Sequence, residues 1–197
     1  MLSHSHPRIS RIAERVRAHQ PTLAGRDGTY WEAAVAIVMR PTASGDVEML
    51  FIKRAIRDGD PWSGQIALPG GKYDPADPSL EHTAVRETQE EVAIDLRTQG
   101  EVFGALDELR PRNPLLPPVI VRPFVASVEP GVAVVPSEEV AGHFWAPLDR
   151  ILDPAATKDT KILVRGFTMR RDAIHFEGHV IWGMTQIILA SFAELAR

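Results

Sequence analysis

A run of acidic residues shortly after a double-glycine turn is the feature of this sequence that most constrains its structure. Glycines stand at 70–71, and the segment R-E-T-Q-E-E follows at 86–91. Because each residue of an α-helix advances by about 100°, Glu87, Glu90 and Glu91 lie within an arc of about 100° on one helix face. Like charges placed so closely repel one another, which indicates a cation that neutralises them. An all-oxygen cluster suits a hard divalent ion such as Mg²⁺ or Mn²⁺ better than zinc.

A solvated acidic helix face is the simpler interpretation of such a run taken alone. Two neighbouring features favour an ion or a phosphate instead. The turn over residues 68–71 reads L-P-G-G and brings backbone carbonyls and amides close to one place. Arg86 lies four residues before Glu90, within ion-pairing reach on a helix.

The glycine turn, the spacer, the Arg-Glu pair and the double glutamate together resemble the Nudix box of the Nudix hydrolases. That box reads glycine, a spacer with an acidic residue, Arg-Glu, two residues of which the first is apolar, Glu-Glu, any residue, glycine and an apolar residue. Here Thr88 stands at the apolar position and Ala93 replaces the final glycine. The spacer before Arg86 is one residue longer than usual and lacks the expected glutamate, so Asp74 and Asp77 are both candidates for its role.

The resemblance implies an α/β (α+β) Nudix fold, in which a mixed β-sheet is sandwiched between α-helices. It also implies metal-dependent hydrolysis of a pyrophosphate bond in a nucleoside diphosphate linked to another moiety, with Mg²⁺ or Mn²⁺ as the cofactor. By the same resemblance, Glu87, Glu90 and Glu91 are metal ligands, with the Gly71 carbonyl as a further one. Arg86 is then the residue that holds a glutamate in place beside the ion.

Two further residues are candidates for the reaction or for substrate binding. Glu138 and Glu139 precede a predicted strand at a place where Nudix enzymes often carry a functional acid. Glu139 is therefore a candidate general base, and an ordinary loop glutamate is the alternative. Trp62 follows Pro61 in a loop and is a candidate to stack on a base, with a structural tryptophan as the alternative.

Residues upstream of the box resemble the coenzyme A pyrophosphatase branch of the family. Its basic motif, its G-Q pair and its P-G-G turn are matched by Arg54-Ala55, Gly64-Gln65 and Pro69-Gly70-Gly71. The interval from Arg54 to Gly64 is one residue too long, and residues 58–60 (D-G-D) lie where a later arginine is expected. Arg57 is the candidate replacement. The candidate substrate-binding residues are therefore Arg54, Arg57, Trp62, Gly70 and Gly71, for coenzyme A or a related nucleotide.

Composition excludes several other classes of function. The formal net charge of -4 argues against a general nucleic-acid binder, which is usually basic. A small phosphorylated substrate remains compatible with it, and Arg110, Arg112 and Arg122 are candidates for such contacts, with scattered surface charge as the alternative. With no cysteine, the chain has no disulfide, thiol nucleophile or cysteine-bound metal.

The sequence shows neither a secretory signal nor a membrane-spanning segment, and this bears on the location and partners of the protein. Residues 1–7 lack the apolar core of a secretory signal, and no apolar run approaches the length that crosses a bilayer. We therefore expect a cytoplasmic protein without a membrane or nucleic-acid partner, whose ligand is a small nucleoside diphosphate derivative; a homodimer is compatible with this. The alternative function is a non-catalytic Nudix-like module that binds or senses a nucleotide.

Hydrophobic periodicity predicts the order of the elements. We expect an N-terminal helix and lead-in over residues 1–25, followed by a single Nudix domain over residues 26–197. Helices are predicted over 9–19, 77–93 and 180–195, with Asp77 as the cap of the second. Strands are predicted over 33–39, 47–53, 65–68, 101–109, 119–128 and part of 138–148, and two more within 160–176 joined around Arg171 and Asp172.

Overall fold

A computed structural model of the protein describes residues 6–111, 117–164 and 167–197. The helices are α1 Pro7–Ala18, α2 Leu80–Val92, α3 Leu148–Leu152 and α4 Met184–Ala196, with a 3-10 turn at Pro154–Ala156. The strands are β1 Trp31–Pro41, β2 Val47–Arg54, β3 Ile66–Ala67, β4 Gly70–Lys72, β5 Gly100–Ala105, β6 Val119–Val128, β7 Val140–Pro147, β8 Thr157–Val164, β9 Phe167–Phe176 and β10 His179–Trp182. Arg112 lies outside the described residues.

The larger sheet is mixed, because parallel and antiparallel neighbours meet at its centre. The strand order is β3-β2-β1-β6-β5, with β4 also paired to β1 and β7 also paired to β2. Strands β1 and β6 run parallel, with Ala33 opposite Val121. Strands β1 and β2 form the predicted antiparallel hairpin, and β4 lies antiparallel to the first part of β1 with Ala34 opposite Gly71. The glycine turn is therefore anchored on the central strand of the sheet.

Both faces of this sheet are buried under helices, as the alternation along β1 shows. Ala34, Ala36 and Val38 belong to one core, into which α2 contributes Ala84, Val85 and Val92. Ile37 and Met39 point to the opposite face and join a second core. That second core is completed by α1 and α4, through Ile9, Ile12, Ala13, Val16, Ile188, Leu189, Phe192 and Ala196. A mixed sheet sandwiched between helices is confirmed, whereas the division at residue 25 stays a prediction.

The smaller sheet corrects two predictions about the C-terminal third. Strands β8, β9 and β10 form an antiparallel sheet in that order. The predicted join at Arg171 and Asp172 was wrong, since both residues lie within β9, opposite Thr160 and Asp159. Charged residues on an exposed strand had resembled a turn. The final helix begins at Met184, later than predicted, because residues 179–182 form β10. Gly183, with φ of 68°, separates this strand from the helix.

The start of α2 also differs from the prediction. The helix begins at Leu80, and the hydroxyl of Ser79 caps it by accepting a hydrogen bond from the His82 N–H at 3.2 Å. Asp77 does not cap the helix, because its carboxylate binds Arg86 and Thr83 instead. Among the residues with described structure, every helix falls short of the length and apolar character needed to cross a membrane.

The end of α2 generates a prediction about stability. Ala93 adopts the left-handed conformation, with φ of 57° and ψ of 29°, at the position where the Nudix box has glycine. A side chain in this conformation destabilises the folded protein by about 1–2 kcal/mol. Glycine stabilises the unfolded chain by only roughly 0.4–1 kcal/mol, through its greater conformational entropy. We therefore expect Ala93→Gly to raise the free energy of unfolding by about 0.5–1 kcal/mol in urea denaturation. A less stable variant would contradict this explanation of the helix end.

Candidate active site

Helix α2 directs its acidic face at the glycine turn because its opposite face is held in the core. Val85 and Val92 are buried against the sheet, and Thr88 is fully buried despite its hydroxyl. The Thr88 hydroxyl donates to the Ala84 carbonyl one turn earlier, at 2.7 Å, so this buried hydroxyl has a hydrogen-bond partner. The departure from the box at Thr88 is therefore accommodated within the helix.

The two glycines allow the turn to pass close to both the sheet and the helix. At Gly70, where φ is 150°, an added Cβ would collide with the backbone of Ala34 and Val35. At Gly71 an added Cβ would collide with the carboxylate of Glu87. The Gly70 N–H donates to Glu91 Oε2 at 2.8 Å. Absence of a side chain at both positions thus lets the backbone touch the acidic face directly.

Arg86 connects three parts of the site through one guanidinium group. Its Nη1 donates to Glu87 Oε1 at 2.8 Å and to Glu90 Oε2 at 3.0 Å. Its Nη2 donates to Asp77 Oδ2 at 3.0 Å and to the Lys72 carbonyl at 3.2 Å. Strand β4, the spacer and the helix are therefore joined by a single side chain, which fixes two of the three glutamates.

Of the two candidates for the spacer acid, Asp77 pairs with Arg86 and Asp74 does not. Asp77 is almost completely buried, and besides Arg86 it accepts a hydrogen bond from the Thr83 hydroxyl at 2.8 Å. Hydrogen bonds from Arg86 lower the pKa of Asp77 to about 2. Asp74 is exposed and uses Oδ1 to accept from the Ala76 N–H at 2.8 Å.

The three glutamates of the acidic face have different environments. Burial raises the pKa of Glu91 to about 7, although the Gly70 N–H and Arg54 oppose this change. Burial also raises the pKa of Glu87, even though Arg86 stabilises its charge. Glu90 is more open, with 59% of its side chain exposed. Repulsion from Glu90 and Glu139 raises the pKa of Glu87 further, and repulsion from Glu87 and Glu139 does the same to the pKa of Glu91.

Glu139 is brought to the same place by the loop that precedes β7. The Ser137 N–H donates to the Glu91 carbonyl at 2.9 Å, and the Ala55 N–H donates to the Glu139 carbonyl at 2.8 Å. The carboxylate of Glu139 pairs with Arg57 at 3.1 Å, and both side chains are about half exposed. Together these residues line a cleft of about 560 Å³, whose walls include Arg54, Arg57, Gly70, Gly71, Glu87, Glu90, Glu91 and Glu139.

The cleft offers the right kind of ligand for a hard cation, but its acids are paired with arginines. Within the described parts of the chain, no three histidine or carboxylate side chains are arranged to hold a metal ion. Arg86 holds Glu87 and Glu90, and Arg54 Nη1 lies 3.7 Å from Glu91 Oε1. An ion would therefore compete with Arg86 and Arg54 for the carboxylates. The donors themselves, oxygens alone, fit Mg²⁺ or Mn²⁺.

A second, mainly apolar cavity of about 270 Å³ adjoins the acidic cleft. It contains Trp62, which sequence reasoning had selected, together with Trp31, Met184 and Ile188, which it had not. These residues come from distant parts of the chain, and only packing of β1, the 61–65 loop and α4 brings them together. Four residues line both spaces, namely Arg54, Gly70, Gly71 and Lys72. All the selected substrate-binding residues thus lie at one or both cavities.

The other candidate arginines lie elsewhere and are engaged in ion pairs. Arg110 Nη1 lies 2.6 Å from Asp27 Oδ1 and also donates to the Tyr30 hydroxyl. Arg122 pairs with the fully buried carboxylate of Glu108. Neither of these two residues lines the acidic cleft.

Most of the chain is similar to a known protein domain. Residues 30–166 match the model of the NUDIX domain, which is more than half of the chain. The chain belongs to the Nudix family. A Nudix relative, the uncharacterized Nudix hydrolase NudL of Yersinia pestis (strain Pestoides F), is 37% identical over 133 residues. That match covers 67% of this chain and 64% of the relative, so the matched part spans less than two thirds of the length of that relative.

Two solved structures share the Nudix fold with this chain. The MutT/nudix family protein from Enterococcus faecalis superimposes with a TM-score of 0.57 and 14% identity, over 95% of this chain and 69% of that one. The C. elegans Ap4A hydrolase binary complex gives a TM-score of 0.51 and 22% identity, over 60% of this chain and 81% of that one. At these identities the likeness concerns the fold alone.

The Asp77–Arg86 pair predicts how stability depends on pH. The pKa of Asp77 is about 2 in the folded protein, against an ordinary value of 3.8. The stabilisation, roughly 1–2 kcal/mol, is therefore complete above about pH 4 and is lost as the pH falls toward about 2. We expect Asp77→Asn to be less stable than the native chain at pH 7, with the difference shrinking below pH 4.

Urea denaturation from pH 7 to the acid limit measures this difference. Asp74→Asn is the matched control, because it changes an exposed aspartate of the same spacer that does not contact Arg86. A gap between Asp77→Asn and the native chain that stays constant with pH would show that the ion pair is not its cause.

Proposed function

We propose that this protein is a metal-dependent Nudix hydrolase that cleaves a pyrophosphate bond in a nucleoside diphosphate linked to another moiety. The observation that carries the proposal is the cleft in which Glu87, Glu90 and Glu91 face the Gly70–Gly71 turn. Two of these carboxylates have raised pKa values because they are buried near like charges. Acids whose pKa values are raised by burial in a cleft are typical of a functional site rather than of a solvated helix face.

A divalent ion is the cofactor that best matches these groups. Nudix hydrolases generally use divalent ions such as Mg²⁺, and Mg²⁺ or Mn²⁺ suits the oxygen donors of Glu87, Glu90 and Glu91. The Gly71 carbonyl is a further candidate ligand. Bound there, the ion would screen the charge of a diphosphate and lower the pKa of a coordinated water.

The remaining side chains position the reacting groups. Arg86 holds Glu87 and Glu90 in place, and Asp77 in turn holds Arg86. The Gly70 N–H fixes the orientation of Glu91. Glu139 lies half exposed at the mouth of the cleft, where water reaches it, and is the candidate general base. Its carboxylate pairs with Arg57, which also lines the cleft.

The adjoining apolar cavity supports a substrate larger than a free diphosphate. A cavity of about 270 Å³ lies slightly below the usual range of whole ligand sites, about 300–1,000 Å³, so it suits one part of a substrate. Trp62 and Arg54 in its wall are the proposed contacts for that part. Coenzyme A or a related nucleotide is the proposed substrate, since the upstream motif at residues 54–71 partly matches that branch.

A non-catalytic binding module is the second candidate, because Arg86 and Arg54 already neutralise much of the acidic face. Incubation with Mg²⁺ and a panel of coenzyme A, ADP-ribose, NADH and dinucleoside polyphosphates, followed by chromatography of the products, separates the two. Cleavage at a diphosphate supports the hydrolase. Binding of a panel member without any product supports the module.

The roles of the carboxylates predict the effect of removing their charge. We expect Glu90→Gln and Glu91→Gln to lower kcat by about 100-fold or more, because a lost metal ligand removes several kcal/mol of charge stabilisation. The fold should be retained, as circular dichroism can verify.

Glu81→Gln is the matched control for these two variants. It removes the same charge from an exposed position in the first turn of the same helix, outside the acidic cleft. Native turnover in both Glu90→Gln and Glu91→Gln would remove the assignment.

A further inference from the structure

Arg54 occupies the boundary between the acidic cleft and the apolar cavity, and its partners determine the charge there. Its guanidinium lies between two carboxylates. Nη1 is 3.7 Å from Glu91 Oε1 on the side of the cleft. Nη2 donates to Asp60 Oδ2 at 3.0 Å on the side of the cavity. The single positive charge of Arg54 therefore faces two acidic side chains, and the shorter contact is the one to Asp60.

Asp60 is held rigidly against Arg54 by the loop that contains it. Its second oxygen, Oδ1, accepts a hydrogen bond from the Trp62 N–H at 2.9 Å. Only 16% of the Asp60 side chain is exposed, and that residue lines the cavity with Trp62. Because the carboxylate is fixed at both oxygens, it cannot turn away from a ligand that enters beside Arg54.

The other charged residues around the cavity do not offset Asp60. Glu32 adds a further negative charge, and it is paired with Arg26 at 2.9 Å. The Lys72 ammonium lies 4.5 Å from the centre of the Trp31 ring. Across the described residues, no carboxylate pairs with Lys72, so the unpaired positive charge of the cavity lies over Trp31 rather than beside Asp60. Next to Arg54, however, the wall carries no net positive charge.

We propose that Asp60 sets the specificity of the cavity by neutralising Arg54, so that the substrate arm bound there is an uncharged ring-containing group without an additional phosphate. This inference rests on the proposed hydrolase function. The apolar walls, which include Trp31, Trp62, Met184 and Ile188, favour a flat ring such as the base of a nucleoside. A phosphate attached to that group would be drawn to Arg54 but repelled by the fixed carboxylate of Asp60.

Pairs of substrates that differ by one phosphate test the proposal. We compare kcat/KM with Mg²⁺ for coenzyme A against 3′-dephospho-coenzyme A, and for NADPH against NADH. The native protein should prefer the member that lacks the additional phosphate, so that of the two proposed classes of substrate the related nucleotide, 3′-dephospho-coenzyme A, is cleaved better than coenzyme A itself. In Asp60→Asn, which keeps the shape and an acceptor for the Trp62 N–H, this preference should fall by about fivefold to tenfold, the effect of one neighbouring charge.

Asp58→Asn is the matched control for the same loop. Asp58 is exposed, and among the described residues no positive side chain pairs with it, so its replacement changes the net charge equally without altering Arg54. The native preference should persist in this variant. An unchanged ratio in Asp60→Asn, or an equal change in Asp58→Asn, would overturn the proposal.

A binding measurement separates this inference from the proposed activity. Quenching of tryptophan fluorescence gives the Kd of AMP and of adenosine 3′,5′-bisphosphate for the three proteins, without a metal ion. We expect the bisphosphate to gain about fivefold to tenfold over AMP in Asp60→Asn alone. Such a gain without turnover of any substrate would reject the hydrolase and keep the role of Asp60. An equal ratio of the two Kd values in all three proteins, or no binding of either nucleotide to any of them, would reject the role of Asp60.

Discussion

The hydrogen bonds of Arg86 are the interaction on which the arrangement of the site depends. A guanidinium presents its donors in one plane, so a single residue can bind the spacer, a strand and a helix together. Asp77 is buried and relies on this charge, since a buried carboxylate without a partner is strongly destabilising. Glu87 and Glu90 are oriented by the same group. Loss of Arg86 would therefore disturb the position of the acids as well as their charge.

Burial of like charges opposes the arrangement that Arg86 holds, and it raises the pKa values of Glu87 and Glu91. Glu91 is almost completely buried, and burial raises its pKa to about 7. A chain selected for stability alone would not place it beside Glu87, because each disfavours ionisation of the other. Gly70 makes the arrangement tolerable by donating its N–H to Glu91. The backbone turn and the acidic face thus depend on each other, and a residue with a side chain at position 70 would separate them.

The sequence was sufficient to place the acidic face on one helix and to bring it to the turn at residues 70–71, because both follow from local periodicity and glycine chemistry. It did not distinguish the roles of Asp77 and Asp74, since a helix cap and an ion-paired acid have the same residue type. Residues 180–182 fit the period of a helix as well as that of a strand, and only pairing with β9 decides between them. Of the apolar residues named in the second cavity, only Trp62 was selected from the sequence as a ligand contact, because Trp31, Met184 and Ile188 join it through long-range packing.

Direct titration of a divalent ion tests the central claim, that the acidic face beside the glycine turn is a metal site. Mn²⁺ added to the protein and followed by electron paramagnetic resonance reports bound and free ion without requiring a substrate. The account predicts saturable binding to the native chain, retained in Glu81→Gln and lost or greatly weakened in Glu91→Gln. Equal binding by Glu91→Gln and the native chain, or no binding by either, would contradict it.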